Sequence, residues 1–222
     1  MQTVADAKAA EDGGADRLEV VRAIRDGGLT PSLAVVKAIA SATSLPLRVM
    51  LRENCGFETT PDEIHAMRAA AVELAVMRID GVVAGFAKAG ELRLDEFLAV
   101  TDAAPRLPVT FHRAFDSLAN PLDAIDILSG ISRIDGILTS GGEGPAEARC
   151  AALREYAARA APEVAIIAGG GVDLEAFRLL VQERSVTHIH VGRAARDGQN
   201  PEGPVSAASV RRLRDLADGV GP

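Results

Sequence analysis

Charged residues and histidines interrupt several short apolar runs of this 222-residue chain, and their spacing gives the first indication of chemistry. Arg17 and Glu19 are two positions apart in one run, while Arg52, His112 and His190 lie at the ends of three others. Because side chains alternate across a strand, we predict that these five groups turn away from the covering helices and face one site. There Glu19 would pair with Arg52, and the two imidazoles would meet a ligand, a metal or a proton-transfer step.

A structural role is the alternative for each of these residues. Salt bridges and hydrogen bonds fill the interior of some barrels, because an unpaired charge in a dry layer costs roughly several kcal/mol. As a group, however, the residues are predicted to gather where strands end, which is where parallel barrels keep their active sites. The cluster therefore favours a functional site.

Two glycine-rich segments predict a second feature of the same site. One contains Gly169, Gly170 and Gly171, and the other contains Gly192 followed by Arg193. Backbone N–H groups of such loops bind oxyanions, and the loops after the last two strands are the common phosphate site of TIM barrels. The pattern predicts a small phosphorylated or otherwise anionic ligand, although tight turns between strand and helix also require glycine.

The elements that must position these residues alternate along the chain with a repeat of roughly 30 residues, which is typical of a parallel α/β sheet. No Gly-rich fingerprint follows the first strand, so a TIM-type barrel is favoured over a doubly wound open sheet. Seven strands are predicted, at 17–21, 45–51, 81–85, 107–111, 135–139, 164–168 and 187–191. The helices between them are predicted at 31–42, 61–76, 94–103, 121–128, 145–160 and 174–183.

The chain opens in a predicted helix at 4–12 and ends in another that starts near Val205. We expect these two helices to lie side by side and residues 1–222 to form a single barrel domain. Because a TIM barrel has eight strands, the first strand is expected to be missing in front of the first helix. In-frame codons for such a strand upstream of Met1 would indicate a misassigned start. Thr30, Thr60 and Asn120, each before a proline, are predicted N-caps.

Composition argues against several classes of function. The net charge is −7 and no block of Lys and Arg forms a local exception, so nucleic acid is not expected as a partner. No apolar stretch is long enough to span a bilayer, and the first residues lack the pattern of a secretory signal. Cys55 and Cys150 are far apart in sequence, which suits a reducing compartment. We expect a cytoplasmic protein with no membrane partner.

Several segments of the chain resemble the CutC family, which is named for copper homeostasis. The most specific are Gly14-Ala15-Asp16-Arg17-Leu18-Glu19, Gly27-Gly28-Leu29-Thr30-Pro31-Ser32-Leu33, Val109-Thr110-Phe111-His112-Arg113-Ala114-Phe115-Asp116 and Leu138-Thr139-Ser140-Gly141. The resemblance covers nearly the whole chain and implies a TIM-like barrel. It also implies that the family's characteristic polar set consists here of Glu19, Arg52, His112, Arg113, Asp116, Thr139, Ser140 and His190.

The chain departs from the family pattern at positions that matter for copper. Members usually begin with a strand like Leu-Glu-Ile-Cys, which is absent here, and Val20-Val21 stands where Leu-Cys is common. Cys55 lies where the pattern has no cysteine. Because Cu(I) prefers thiolate and thioether ligands, we assign no metal ligand and expect any copper role to be weak or indirect.

Three functions remain open on the sequence. The resemblance implies a protein of copper homeostasis, with copper as its metal. The residues at the strand ends indicate instead a TIM-barrel enzyme or sensor for a small anionic ligand, and a non-catalytic oligomeric scaffold is the third alternative. We expect a homo-oligomer, either a dimer or a tetramer, in which another subunit could cover the unpaired edges that a missing strand leaves.

Overall fold

The computed structural model describes residues 1–184 and 186–219, and it confirms a TIM-type barrel sheet of seven parallel strands. Strands of this sheet that follow one another in the chain are neighbours. The strands are β1 (Leu18–Val20), β2 (Leu47–Met50), β3 (Gly81–Ala84), β6 (Val109–Phe111), β7 (Ile134–Thr139), β8 (Ala165–Ala168) and β9 (His188–Ile189). The sheet curls into a half-barrel with one open side, between β1 and β9.

Helices cover the outer face of this sheet, and their apolar sides form the core with the outward residues of the strands. Within the described ranges, none of them combines the length and the apolarity needed to cross a bilayer. They are α1 (Val4–Gly13), α2 (Leu33–Ala42), α3 (Pro61–Leu74), α4 (Leu94–Thr101), α5 (Pro121–Ser129), α6 (Ala146–Ala160), α7 (Leu174–Gln182) and α8 (Ala207–Ala217).

The predicted helix starts are only partly correct. Thr60 caps α3 in a capping box with Glu63, as its sequence suggests. Thr30 does not cap α2, because its hydroxyl group bonds to the backbone N–H (2.9 Å) and C=O (3.0 Å) of Arg52, and Ser32 caps the helix instead. Asn120 precedes α5 but its side chain makes no capping hydrogen bond. A two-residue hairpin, β4 (Ala87–Lys88) with β5 (Glu91–Leu92), was not predicted, since each strand is too short for a visible pattern.

Helices α1 and α8 lie side by side over the open side of the half-barrel, as predicted. Gly13 permits the close approach, because a Cβ atom there would lie 2.4 Å from the Cβ atom of Val210. The Asp6 carboxylate accepts a hydrogen bond from the Val205 N–H group (3.0 Å), which ties the two ends of the chain together. Beside β1, the Val21 N–H group donates to the carbonyl oxygen of Met1 (2.9 Å).

An ionic layer fills the interior at the amino ends of the strands. The Arg48 side chain is 5% exposed, and its Nε lies 2.9 Å from Asp80 while its terminal nitrogens bind both carboxylate oxygens of Asp135. Gly81 leaves room for this guanidinium, since a Cβ atom there would lie 2.4 Å from it. A buried arginine held by two carboxylates is compensated, whereas one that loses a partner is left with an unmatched charge.

Replacing Asp135 by alanine is expected to destabilise the protein by about 2–3 kcal/mol, because Arg48 would stay buried with Asp80 alone. The free energy of unfolding in urea measures this effect. Glu73→Ala, an exposed change on α3, is the control and is expected to stay within about 0.5 kcal/mol. Equal stability of the two variants would show that the ionic layer contributes little.

Candidate functional site

The loops at the carboxyl ends of the main-sheet strands form one surface, which we call the mouth. It contains Arg52, His112, Arg113, Asp116, Ser140, Gly170 and His190, each of which directly follows a strand or lies in the turn after it. The position of the mouth agrees with the general rule for parallel barrels.

Asp116 organises one side of the mouth. It lies in the 3-10 turn after β6, and its carboxylate, 12% exposed, accepts hydrogen bonds from the Thr139 hydroxyl (2.5 Å), the Ser140 N–H (3.0 Å) and Nε of Arg113 (2.8 Å). The structure thus brings together four of the eight residues that the family resemblance names, namely Arg113, Asp116, Thr139 and Ser140. Gly141 (φ +80°) continues the turn, where a Cβ atom would lie 2.5 Å from a backbone oxygen.

Arg113 is held by Asp116 through Nε alone, and its two terminal nitrogens have no hydrogen-bond partner in the described part of the chain. Its side chain is 48% exposed. The guanidinium group packs on Gly170 (φ +102°), where a Cβ atom would come within 2.8 Å of Nε. A guanidinium that is fixed at Nε and free at both terminal nitrogens can bind a carboxylate or phosphate with two parallel hydrogen bonds.

Glu19 and His190 meet on the opposite side of the mouth, across the open side of the half-barrel. The Glu19 carboxylate lies 3.9 Å from Nδ1 of His190. Gly169 makes room for His190, since a Cβ atom there would lie 3.1 Å from the histidine Cβ. This distance is longer than a hydrogen bond, so the carboxylate acts on the imidazole through its charge alone. The predicted pair of Glu19 with Arg52 is therefore wrong.

Arg52 binds backbone instead of a carboxylate. Its guanidinium donates to the carbonyl oxygens of Gly56 (3.2 Å), Gly27 (3.4 Å) and Cys55. Burial lowers the pKa of Arg52 from its usual value, and the nearby Arg113 guanidinium lowers it further. The Arg52 guanidinium carbon lies 5.0 Å from the ring centroid of Phe57. Arg52 therefore holds the loop after β2 in place over the mouth.

His112 is 2% exposed and lies beneath that loop, with its ring centroid 5.6 Å from that of Phe57. Its Nδ1 accepts a hydrogen bond from the N–H group of Ala114 (3.1 Å) and so caps the 3-10 turn. Burial, aided by the cations of Arg52 and Arg113, lowers its pKa to about 3. The imidazole is therefore neutral and unsuited to proton transfer near neutral pH.

Two residues that support His112 were missed on the sequence. Phe57 covers the imidazole, and Gly85 leaves space for it, since a Cβ atom on Gly85 would lie 2.7 Å from Nδ1. Gly85 directly follows β3, and a glycine at a strand end is the one local signal that could have pointed to a close approach.

The second glycine-rich segment differs from the prediction. Arg193 donates to the Asp173 carboxylate (3.0 Å), and the same carboxylate caps α7 by accepting from the Ala176 N–H group (2.9 Å). The backbone hydrogen bond from Ala176 is the main cause that lowers the pKa of Asp173. A carboxylate of the chain thus binds the arginine that was predicted to bind a phosphate. A Cβ atom on Gly192 would have no atom within 4 Å, so close packing does not require glycine at this position.

Arg17 lies away from the mouth. It precedes β1 and, together with burial, lowers the pKa of His188 at the start of β9. Both residues therefore belong to the amino ends of the strands, near the ionic layer around Arg48. The prediction that Arg17 and Glu19 share one face did not distinguish the two ends of the strand.

The mouth offers few of the thiolate and thioether ligands that copper prefers. No group of three or more His, Cys, Asp or Glu side chains is placed to hold a metal within the described ranges. Cys55 is exposed and Cys150 is partly buried on α6. Because Nδ1 of His112 accepts an N–H hydrogen bond, the proton of the neutral ring is on Nε2, which leaves that ring without a lone pair for a metal.

The neutral state of His112 has a consequence for stability. The unfolded chain binds a proton at this residue near pH 6.5, whereas the folded protein does not until about pH 3, so stability falls as the pH falls through this window. We expect the wild type to lose about 2 kcal/mol more than His112→Asn between pH 7 and pH 5. Urea unfolding at several pH values measures the difference, and parallel pH profiles would contradict a buried, neutral His112.

Comparison with known sequences gives the CutC family. The CutC family model matches residues 1–195. The copper homeostasis protein cutC homolog of Homo sapiens is 29% identical over 200 residues, which cover 89% of this chain and 73% of the human protein. The CutC family protein of Klebsiella pneumoniae is 35% identical over 190 residues, covering 85% and 76% of the two chains.

Solved structures support the same fold. The crystal structure of a CutC protein from Streptococcus agalactiae has a TM-score of 0.78 at 23% identity, covering 86% of this chain and 94% of that one. Orotidine 5'-phosphate decarboxylase from Pyrococcus horikoshii has a TM-score of 0.64 at 16% identity, covering 98% and 93%. These two similarities concern the fold alone. The match of the family model to most of the sequence shows that the chain belongs to the CutC family.

Proposed function

We propose that this protein serves copper homeostasis, the role in the names of its relatives, by binding a small anionic ligand at the mouth. The observation that carries the proposal is Arg113, whose guanidinium is fixed by Asp116 and Gly170 while its terminal nitrogens have no partner in the described chain. An arginine in this state is prepared for a carboxylate or a phosphate.

The remaining mouth residues fit a ligand-binding site better than a structural layer. The ionic layer around Arg48 compensates its own charges, whereas the mouth combines one open cation with the Glu19–His190 pair. That pair has the chemistry for proton transfer, which keeps an enzyme as well as a sensor within the proposal. Two free cysteines support a reducing compartment such as the cytoplasm.

Inorganic phosphate or pyruvate at about ten times its Kd is expected to raise the melting temperature by roughly 3–5 °C. Arg113→Gln should abolish this shift. Arg193→Gln makes the same change of charge and should retain the shift, because Arg193 already binds Asp173. If neither anion stabilises the wild type at millimolar concentration, or if the two variants behave alike, the proposal is wrong. A scaffold without a ligand would give the first of these results.

Direct binding of Cu(I) through Cys55 is the competing function. Cys55 is exposed on the loop after β2, and His112 has no free lone pair for a metal. We therefore expect wild type and Cys55→Ala to compete equally with a colorimetric Cu(I) chelator. A clear loss of Cu(I) affinity in Cys55→Ala would restore a copper site at the mouth.

A further inference from the structure

The strongest feature that the proposed anion site does not use is Nε2 of His112. Because Nδ1 accepts the Ala114 N–H group, the proton of the neutral ring is on Nε2. Nε2 is buried and has no hydrogen-bond partner in the described chain. Most buried polar side-chain atoms of folded proteins do have a partner, so an unpaired donor in this position calls for an acceptor that the chain does not supply.

The chemistry of that acceptor follows from the ring. A neutral N–H group held in a dry site binds an oxygen that carries a lone pair, and it does so over the whole range in which His112 stays neutral. The nearby guanidinium groups of Arg52 and Arg113 favour an oxygen with negative partial charge. The proton on Nε2 leaves no lone pair there for a metal ion. The positive charges of Arg52 and Arg113 disfavour any cation at this position.

A side chain on a loop lies against the imidazole of His112. Phe57 lies over the imidazole, on the loop between β2 and α3, and next to the exposed Cys55 and Gly56. Its backbone is tied to the β4–β5 hairpin by one hydrogen bond, from Ala87 N–H to the Phe57 oxygen (3.0 Å). We expect a ligand to reach the buried Nε2 by displacing this ring.

We propose that His112 is a fixed hydrogen-bond donor for a carbonyl oxygen of the ligand, whose anionic group binds the adjacent Arg113. The ligand class is then a small carbonyl compound with a carboxylate or phosphate group. This inference rests on the proposed function, because Arg113 supplies the anion site. It adds a second contact, which distinguishes a carbonyl compound from a simple anion.

Pyruvate and propionate test this contact, since both have a carboxylate and only pyruvate has the ketone. Isothermal titration of the wild type should show about tenfold or more tighter binding of pyruvate, as expected when a site built for a hydrogen bond receives a ligand that lacks it. In labelled protein, the ¹H–¹⁵N signal of His112 Nε2 should shift with pyruvate and stay in place with propionate.

Two substitutions separate the donor from the cap. Asn in His112→Asn can accept from Ala114 N–H at the position of Nδ1 but has no group at Nε2, so the preference for pyruvate should fall to about one. His112→Gln places an amide N–H near Nε2 and loses the cap, so it should retain part of the preference. Equal affinities of the two acids for the wild type, or an unchanged preference in His112→Asn, would overturn the inference and leave the anion site standing. Failure of pyruvate, propionate and phosphate alike would overturn both.

Discussion

The geometry of the mouth depends on one carboxylate. Asp116 accepts from a hydroxyl, a backbone N–H and a guanidinium, which join the turn after β6 to the end of β7. Charge-assisted hydrogen bonds of this kind are worth roughly 1.5–3 kcal/mol each, so the two loops are fixed relative to each other. Arg113 is thereby pressed against Gly170, and its free edge points away from the atoms that hold it.

The charged groups inside the half-barrel divide into two sets with different balance. At the amino ends of the strands, Arg48 is matched by two carboxylates and needs nothing further. At the mouth, the guanidinium of Arg52 donates hydrogen bonds to backbone carbonyl oxygens and so stabilises the loop that carries Phe57. In the described part of the chain, the terminal nitrogens of Arg113 and the buried Nε2–H group of His112 have no acceptor. This imbalance supports the proposed site for an oxygen-rich ligand.

Much of the fold follows from the sequence, because the βα repeat and the apolar runs fix the number and order of the seven strands. The family resemblance named Arg113, Asp116, Thr139 and Ser140 in one polar set, and in the structure the other three bond to Asp116. Alternation along a strand fixes the face of a side chain but not its height in the barrel, so it could not separate Arg17 from Glu19.

The hydrogen-bond partners of the site residues were the part of the site that the sequence predicted least well. Arg52 was expected to meet Glu19, yet it binds backbone carbonyl oxygens of two loops. Arg193 was expected to meet a phosphate, and it binds Asp173 on the neighbouring loop. The neutral state of His112 also depends on a backbone N–H two residues later and on the cover from Phe57. Such contacts arise only when the loops fold over the strand ends, and no local pattern encodes them.

The central claim is that the mouth holds a small organic anion and not a copper ion. The most direct measurement is native mass spectrometry of protein purified without chelator, together with metal analysis of the same sample. We predict a retained organic anion in the wild type that disappears when Arg113 is replaced by glutamine, with copper well below one ion per chain. One bound copper ion per chain, with no organic ligand, would contradict this account.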